Sequence, residues 1–272
     1  MTVDLKDKVV VITGATSGIG KSCVDIFGRA GAKLVAMGRS EEKLKALKKE
    51  WNELGFTIIT VRADAAVEED NRRMIEETVS HYGRLDVLIA NAGISMRAMF
   101  EDLELDIFRR VMDVNFYGAV YATRFALPHI LKSKGSIVAV SSINGHRGIP
   151  ARTAYTASKF AMEGFYESLR MEVMKRGVHI LVVSPGFTGT NIRNIALTAD
   201  GKSQGESPRD EGKMMTSEAV AKAILRGVKA RKRDLVLTTI GKLVIFLNKI
   251  IPGPMDKIVY KHMAKEPNSP FK

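Results

Sequence analysis

Short β-branched apolar runs alternate along the first 240 residues with longer stretches of mixed polarity. Such runs are typical of buried parallel strands, and they cover residues 8–12, 33–37, 57–62, 85–90, 136–141, 178–183 and 234–239. Helices are predicted over residues 21–30, 67–82, 106–132, 155–176 and 217–232. Strands that alternate with helices predict an α/β fold, a doubly wound parallel sheet of the Rossmann type.

A glycine-rich segment, TGATSGIG at residues 13–20, directly follows the first predicted strand. Gly14 permits a tight turn, Gly18 lets the backbone approach a phosphate, and Gly20 allows close helix–strand packing. Strand, glycine-rich turn and helix together present backbone N–H groups and a helix dipole to a pyrophosphate. The spacing differs from Gly-x-Gly-x-x-Gly, so a plain strand–helix turn is the alternative interpretation.

The second predicted strand ends at Gly38-Arg39-Ser40. In a dinucleotide fold this strand end meets the adenosine ribose, where a carboxylate selects NAD and an arginine accommodates the 2′-phosphate of NADP. Gly38 carries no carboxylate, Arg39 carries a cation, and Ser40 adds a donor. The alternative is that Arg39 is an ordinary surface charge. The pattern predicts NADP(H).

Tyr155 and Lys159 are four residues apart on a predicted helix, and Ser142 lies thirteen residues before Tyr155. Residues at i and i+4 share one helix face. A phenol titrates near pH 10, and a neighbouring ammonium lowers that pKa towards useful proton transfer. Ser142 is placed to hydrogen-bond the reacting oxygen, and Ser141 is the less well spaced substitute. In isolation such a pair also fits a solvated surface pair, but the glycine loop favours catalysis.

The motifs occur in an order that resembles the short-chain dehydrogenase/reductase family over roughly the first 240 residues. By this resemblance residues 13–20 form the cofactor loop and Asp64 contacts adenine. Asn91-Ala92-Gly93 is similar to the motif that steadies the central sheet. Pro185-Gly186, with Thr190, is similar to the segment beside the nicotinamide.

The resemblance also implies four catalytic positions, Asn115, Ser142, Tyr155 and Lys159. Lys159 is expected to bind the nicotinamide ribose as well, and Asn115 to anchor a water that links Lys159 to solvent. The compatible alternative for Asn115 is an asparagine that kinks the helix or bonds the backbone. The implied cofactor-binding residues are Thr13, Gly14, Thr16, Ser17, Gly18, Ile19, Gly20, Arg39, Ser40, Asp64, Ala65, Asn91, Ala92, Gly93, Tyr155, Lys159, Pro185, Gly186, Thr188 and Thr190.

Composition narrows the class of protein further. The single cysteine, Cys23, excludes an internal disulfide and is expected to serve packing. The five histidines show no metal-ligand spacing, so no metal is expected. The chain starts without an apolar signal region and has no run near the ~20 apolar residues of a membrane span. A cytoplasmic enzyme is therefore expected.

The basic charge is concentrated near the carboxyl end. Residues 213–272 carry 13 Lys/Arg and 4 Asp/Glu, which is +9 of the net +12. We predict a catalytic domain at 1–240 and a short helical, basic and apolar extension at 241–272, similar to the tails of hydroxysteroid dehydrogenases. The lysine-rimmed apolar pieces 242–251 and 255–263 fit a peripheral membrane contact. The alternative, which the pattern favours slightly, is packing against the body or across a subunit interface.

We predict reversible hydride transfer between NADP(H) and a carbonyl/secondary alcohol pair, with Tyr155 as general acid/base. The predicted substrate-facing residues are largely apolar and suggest a lipophilic substrate: Ile143, His146, Ile149, Phe187, Ile192 and Ile195. The polar stretch 195–213 is either a mobile lid or a plain exposed insertion. The resemblance implies a homodimer or homotetramer packed through two long helices.

Two other functions fit parts of the sequence. One is a reductase of 3-oxoacyl groups on an acidic carrier protein, which a basic surface would suit. The other is a cofactor-binding regulator that uses Arg231, Lys232, Arg233 and the tail for nucleic acid. The complete set of Ser142, Tyr155 and Lys159 argues against a non-catalytic role, so no nucleic-acid partner is expected.

Overall fold

The computed structural model describes residues 3–210, 212 and 214–271. The strands are β1 Val9–Thr13, β2 Lys33–Gly38, β3 Ile58–Arg62, β4 Val87–Ala90, β5 Ser136–Val140, β6 His179–Ser184, β7 Thr188–Gly189, β8 Met215–Thr216 and β9 Asp234–Val236. The helices are α1 Gly18–Arg29, α2 Glu41–Glu53, α3 Glu68–Tyr82, α4 Leu105–Met112, α5 Gly118–Ser133, α6 Thr153–Val173, α7 Ser217–Lys229, α8 Thr239–Ile250 and α9 Pro252–Ala264. Outside the described residues lie Met1, Thr2, Glu211, Lys213 and Lys272. Lys213 is the end of the predicted lid, and Lys272 is the end of the predicted basic tail.

Seven strands form one parallel sheet in the order β3-β2-β1-β4-β5-β6-β9. Side chains of β1 alternate between two cores, because successive residues of a strand point to opposite faces. Val11 packs on the face covered by α3, α5 and α6, whereas Val10 and Ile12 pack on the face covered by α1, α2 and α7. The predicted doubly wound fold is confirmed, and its strand order reverses direction between β1 and β4, where such folds bind ligands.

The helix predicted over residues 106–132 is interrupted. Helix α4 ends at Met112, a π-helical turn spans Asp113–Tyr117, and α5 continues from Gly118. The π turn carries the buried Asn115, whose side chain bonds both backbone groups of Ile94 at 2.8 and 2.9 Å. A π bulge inserts a residue into the helix and often marks a functional position. Sequence periodicity alone does not reveal it.

Two further departures have local causes. The last long strand was predicted to reach residue 239 but ends at Val236, because the Thr238 hydroxyl accepts a hydrogen bond from Gly241 N at 3.0 Å and caps α8. Helix α2 was absent from the predicted elements. It is capped by Ser40, and it buries Leu44, Leu47 and Trp51.

The carboxyl-terminal extension forms α8 and α9, which pack against the body. Met255 and Met263 of α9 contact the buried Ala151. Arg147 donates to Asn248 Oδ1 at 2.6 Å and pairs with Asp256, so one guanidinium ties both helices to the loop after β5. Within the described residues, no helix is long and apolar enough to span a membrane.

Candidate active site

The glycine loop between β1 and α1 forms a cradle that side chains would close. Gly14 and Gly18 adopt φ values of +65° and +52°, a region that favours glycine. A Cβ on Gly20 would lie 2.1 Å from the Gly14 carbonyl oxygen. Helix α1 begins at Gly18, and the Ser17 side chain makes no capping hydrogen bond. The N–H groups of the first turn of α1, which a helix cannot satisfy internally, face this end of the molecule.

The end of β4 is bonded to the end of β1. Thr13 Oγ1 accepts hydrogen bonds from Asn91 N and Ala92 N, both at 3.0 Å. Asn91 Nδ2 donates to Thr13 O at 2.9 Å and to Gly14 O at 3.3 Å. A Cβ on Gly14 would lie 2.9 Å from Ala92 Cα. The predicted Asn91-Ala92-Gly93 motif therefore braces the glycine loop against the neighbouring strand.

The end of β2 has no room for a side chain at Gly38. A Cβ on Gly38 would lie 2.7 Å from Thr16 Cγ2 of the glycine loop. Arg39 is exposed directly after Gly38, and Ser40 Oγ accepts a hydrogen bond from Lys43 N. This edge therefore carries a cation and a hydroxyl beside the glycine loop.

The end of β3 is held in a local turn. Asp64 Oδ1 accepts from Ala66 N at 3.0 Å, and Asp64 N donates to Asp70 Oδ2 at 2.7 Å. Ala65 is buried against α5, since a Cβ on Gly118 would lie 2.7 Å from its carbonyl oxygen. These contacts fix the loop in which an adenine contact was predicted.

Ser142 and Tyr155 interact at the end of β5. Ser142 follows this strand and its Oγ accepts a hydrogen bond from Asn144 N at 3.2 Å, while its hydroxyl is near enough to the phenol of Tyr155, on the first turn of α6, to affect the pKa of Tyr155. Burial raises the pKa of Tyr155, while the Ser142 hydrogen bond and the charges of Arg152 and Arg193 oppose the rise. Lys159, which was expected to lower this pKa, is not among the groups that do so, and burial outweighs the groups that are.

Lys159 is buried and bound away from the phenol. Its Nζ donates to Val140 O at 2.9 Å, lies 3.5 Å from Met162 Sδ, and is 5.8 Å from the centre of the Tyr155 ring. Burial lowers the pKa of Lys159 to about 8, and the charge of Glu163 opposes the shift. The two side chains share one helix face as predicted, but the ammonium anchors at the end of β5.

Asn115 connects the β4 loop with the helix that carries Tyr155. Beyond its two bonds to Ile94, its Nδ2 donates to Ser158 Oγ at 3.0 Å, and Ser158 Oγ donates to Tyr155 O at 2.7 Å. The side chain of Asn115 is thus satisfied by protein atoms. It fixes the position of α6 relative to β4.

The segment after β6 closes the remaining side of the site. Ile143 N donates to Pro185 O at 3.1 Å, and Thr188 Oγ1 donates to Gly186 O at 3.1 Å. A Cβ on Gly18 would lie 3.2 Å from Thr190 Cγ2, so Thr190 stands over the glycine loop. Because β1 to β6 are parallel, the predicted residues that follow these strands all come to one edge of the sheet.

Several polar residues around the site were missed or misplaced from sequence. His146 was expected to face the substrate, but its Nε2 lies 3.0 Å from Ser184 Oγ and 3.3 Å from Glu163 Oε1. Glu163 lies one turn after Lys159, a spacing that could have revealed it. Arg152 and Arg193 were not predicted, although Arg152 is only three residues from Tyr155.

Two residues that were predicted to face the substrate lie against the extension. Ile149 packs with the α9 cluster, and Ile143 Cδ1 would lie 2.5 Å from a Cβ on Gly241. Phe187 and Ile195 are exposed. Within the described part of the chain, no group of three or more His, Cys, Asp or Glu is arranged to hold a metal ion, and burial raises the pKa of the Cys23 thiol.

A parallel sheet with a glycine cradle at its switch point, beside a Ser, a Tyr and a buried Lys, defines a nucleotide-binding oxidoreductase of the Rossmann class. The sequence model of the short chain dehydrogenase family matches residues 8–200. The chain belongs to the short-chain dehydrogenase/reductase family, which confirms the predicted family and fold.

The relatives are similar along nearly the whole chain. Dehydrogenase/reductase SDR family member 7B of Mus musculus is 36% identical over 271 residues, which are 97% of this chain and 84% of that protein. An 11-beta-hydroxysteroid dehydrogenase-like 4A from Arabidopsis thaliana is 39% identical over 250 residues, 90% of this chain and 81% of its own. A short chain dehydrogenase/reductase from Burkholderia phymatum, solved in complex with NAD, shares the fold at a TM-score of 0.83 and 20% identity, covering 91% of this chain and 95% of that one.

Proposed function

We propose that this oxidoreductase is NADP(H)-dependent and interconverts a carbonyl group and a secondary alcohol. The observation that carries the proposal is that the interacting Ser142 and Tyr155, together with the buried Lys159, lie at the same sheet edge as the glycine cradle. A cofactor fits this edge, because Gly14, Gly18 and Gly20 leave open the space that side chains would fill. The nicotinamide, when bound, supplies or takes up the hydride.

The residues that would hold the cofactor follow the strand ends. The amides from Ser17 to Gly20 would hold the pyrophosphate at the start of α1. Asp64 and Ala65 would meet the adenine, and Tyr155 with Lys159 the nicotinamide ribose. The remaining contacts would come from the loop after β4 and from the loop after β6 that carries Pro185, Gly186, Thr188 and Thr190.

Tyr155 is the proton-transferring residue of the proposal. Its raised pKa keeps the phenol protonated at neutral pH, so in reduction Oη donates a proton to the carbonyl oxygen. Ser142 holds that oxygen by a hydrogen bond. In the reverse direction Arg152 and Arg193 would stabilise the phenolate by their charge.

Lys159 and Asn115 would serve the proton supply. The Asn115 side chain is already bound to Ile94 and Ser158. A water that links Lys159 to solvent would therefore be held by the Asn115 backbone carbonyl, in the π turn where regular helical bonding is interrupted.

The preference for NADP(H) rests on the end of β2. A carboxylate in place of Gly38 would collide with Thr16, while the exposed Arg39 presents a cation directly after it. An arginine at this strand end accommodates a 2′-phosphate. Both observations favour NADP(H) over NAD(H).

A lipophilic substrate is supported by the exposed Phe187 and Ile195 in the segment that follows β6.

We propose that α8 also contacts a membrane surface. Ile240 and Phe246 are 75% and 59% exposed on an apolar face that also carries Leu243 and Ile250, with Lys242 and Lys249 at its side. Such a helix gains from apolar burial and from attraction to anionic lipid.

Self-association is proposed through α5 and α6. Phe160, Met171 and Met174, on and directly after α6, are exposed large apolar side chains, and Tyr117 is exposed just before α5. A homodimer or homotetramer would cover them. Sedimentation of a Phe160→Lys variant, which should be smaller than the wild type, tests this assembly.

The function is tested by following NADPH oxidation with ketones of graded size and polarity, beside 3-oxoacyl groups on a carrier protein. Tyr155→Phe should lower kcat by about 10²- to 10⁴-fold, the usual contribution of acid–base catalysis. Tyr260→Phe, on the exposed side of α9, is the matched control and should keep full activity. Full NADPH-dependent turnover by Tyr155→Phe would overturn the proposal.

A further inference from the structure

Three guanidinium groups converge on one buried carboxylate near Tyr155. Glu266 Oε1 lies 2.7 Å from Arg209, and its Oε2 lies 3.5 Å from Arg97 and 3.9 Å from Arg152. The four residues come from the loop after β4, the start of α6, the loop before β8 and the segment after α9. We call Arg97, Arg152 and Arg209 the arginine cluster.

The cluster has a surplus of buried positive charge. The side chains of Arg97, Arg152, Arg209 and Glu266 are only 5%, 12%, 18% and 7% exposed. Over the described residues, Glu266 is the only carboxylate found paired with the cluster, so one negative charge faces three positive ones. Burying an uncompensated charge costs several kcal/mol.

Two further observations indicate that, among the described residues, Glu266 alone does not balance the charge of the cluster. Burial lowers the pKa of Arg152 to about 10; Arg97 and Arg209 add to the lowering, whereas Glu266 opposes it. The buried Nε of Arg97 has no hydrogen-bond partner among the described residues. An anion with several acceptor atoms would satisfy both the charge and the open donor.

The cluster also borders the reacting group. Arg152 is close enough to Tyr155 for its charge to lower the pKa of the phenol. At the other end, the Arg209 guanidinium stacks on the Phe187 ring at 3.7 Å, and Phe187 follows the Pro185-Gly186 segment. The positive groups thus extend from the proposed proton donor to an exposed apolar ring beside the site.

We propose that the arginine cluster binds an anionic group of the substrate, a carboxylate or a phosphate monoester. This inference rests on the proposed function, because the anion would belong to the molecule that Tyr155 reduces. The substrate then has an apolar part near Phe187 and a charged end at the cluster. Guanidinium groups suit this role because their planar donor pairs match carboxylate and phosphate oxygens.

Glu266 has a defined part in this arrangement. It supplies the cluster with one internal counter-charge from the segment after α9, and so it holds the arginines in place before the substrate binds. Arg97 strengthens this link, since its guanidinium also donates to Pro267 O at 2.8 Å. The carboxyl-terminal extension thereby takes part in substrate selection.

The test compares matched pairs of ketones with the wild-type enzyme and NADPH. One pair is an oxo fatty acid and its methyl ester, and the other is a 1-hydroxy-2-alkanone and its phosphate monoester, each with several chain lengths. We expect kcat/KM for an anionic member to exceed that of its neutral partner by on the order of 10- to 100-fold, the strength of charged hydrogen bonds. The two pairs distinguish carboxylate from phosphate.

Variants connect the preference to the cluster. Arg209→Gln should remove most of the anionic preference, measured as the ratio of kcat/KM between the anionic and neutral members of a pair, while Arg209→Lys should keep part of it. Arg147→Gln is the matched control, because Arg147 also anchors the extension through Asn248 and Asp256 but lies outside the cluster. It should retain the full preference.

A binding measurement separates this inference from the proposed function. Inorganic phosphate and propionate should raise the Tm of the wild type, raise that of Glu266→Gln more, and affect Arg209→Gln least. If Glu266→Gln does not fold, a second series compares the wild type with Arg97→Gln, and the anions should raise the Tm of the wild type more than that of Arg97→Gln. Neutral ketones reduced in a Tyr155-dependent manner without any anionic preference or anion-dependent Tm would overturn the inference and leave the function standing. Anion-dependent Tm without ketone reduction would overturn the function instead.

Discussion

Lys159 Nζ donates a hydrogen bond to the Val140 carbonyl oxygen at 2.9 Å, and this contact places a titratable group at the buried end of β5. The carbonyl takes one of the three donors of the ammonium and the Met162 sulfur, at 3.5 Å, takes a second, which leaves one donor for a ligand or a water. Tyr155 instead interacts with Ser142, so the two members of the i,i+4 pair meet different groups at one strand end.

Lys159→Met should stabilise the protein at neutral pH. The folded-state pKa of Lys159 is lowered to about 8, below the ordinary value of 10.5, so the unfolded chain binds its proton more tightly. Protonated Lys159 therefore destabilises the fold below pH 8, and this penalty disappears as the pH rises from about 8 to about 10.5. The free energy of unfolding of Lys159→Met should exceed that of the wild type below about pH 8. This difference should shrink by about 3 kcal/mol as the pH rises from about 8 to about 10.5. Denaturant titrations of both proteins measure this difference, and a pH-independent difference would contradict the lowered pKa of Lys159.

Glu163→Gln should shift the pH dependence of turnover. The carboxylate of Glu163 raises the pKa of Lys159, so its removal lowers that pKa further. The inflection of kcat/KM against pH that reports Lys159 should move to lower pH by a fraction of a unit or more. Glu167→Gln, one turn further along α6 and exposed, is the control. Identical profiles for Glu163→Gln and the wild type would exclude this coupling.

Arg39→Ala should weaken NADPH specifically. Loss of a charged hydrogen bond to a 2′-phosphate costs about 1.5–3 kcal/mol, so KM for NADPH should rise on the order of 10- to 100-fold while that for NADH stays constant. Arg29→Ala removes an exposed arginine from the far end of α1 and should change neither value. Equal effects on both cofactors would show that Arg39 does not read the phosphate.

Gly28→Ala should destabilise the fold without altering the site. A Cβ on Gly28 would lie 2.1 Å from the ring of the buried Trp51 and 2.9 Å from Leu34, so the core must shift. Overpacking of this kind costs about 1–3 kcal/mol. Gly164→Ala is a matched helical substitution with no atom within 4 Å, and it should stabilise by about 0.5–1 kcal/mol. Thermal unfolding distinguishes them, and a neutral Gly28→Ala would contradict the tight α1–α2 contact.

Phe246→Glu should reduce binding to anionic liposomes. The side chain is exposed on the apolar face of α8, where a carboxylate would be repelled by anionic lipid and would no longer bury an aromatic ring. Phe100→Glu, an exposed phenylalanine outside the extension, serves as control. Co-sedimentation with phosphatidylserine vesicles measures the loss. Equal sedimentation of the two variants would refute a lipid contact through α8.

Most of the strands were predictable because a buried strand needs a local apolar run. The glycine loop was also predictable from local sequence, because Gly14 and Gly18 adopt positive φ values that favour glycine. The π turn at Asn115 was not, because it depends on a contact with Ile94, 21 residues away. The arginine cluster was also hidden, as its members are separated by about 55 residues each and meet only through the fold.

The sequence alone determines the order of the elements, the place of the glycine loop and the one-turn spacing of Tyr155 and Lys159. Each of these depends on neighbours within a few turns of chain. The protonation of that pair and the destination of the carboxyl-terminal extension were decided by the tertiary structure. A pKa depends on which atoms exclude water from a group, and Lys159, Tyr155 and Glu266 are surrounded by residues from distant parts of the chain.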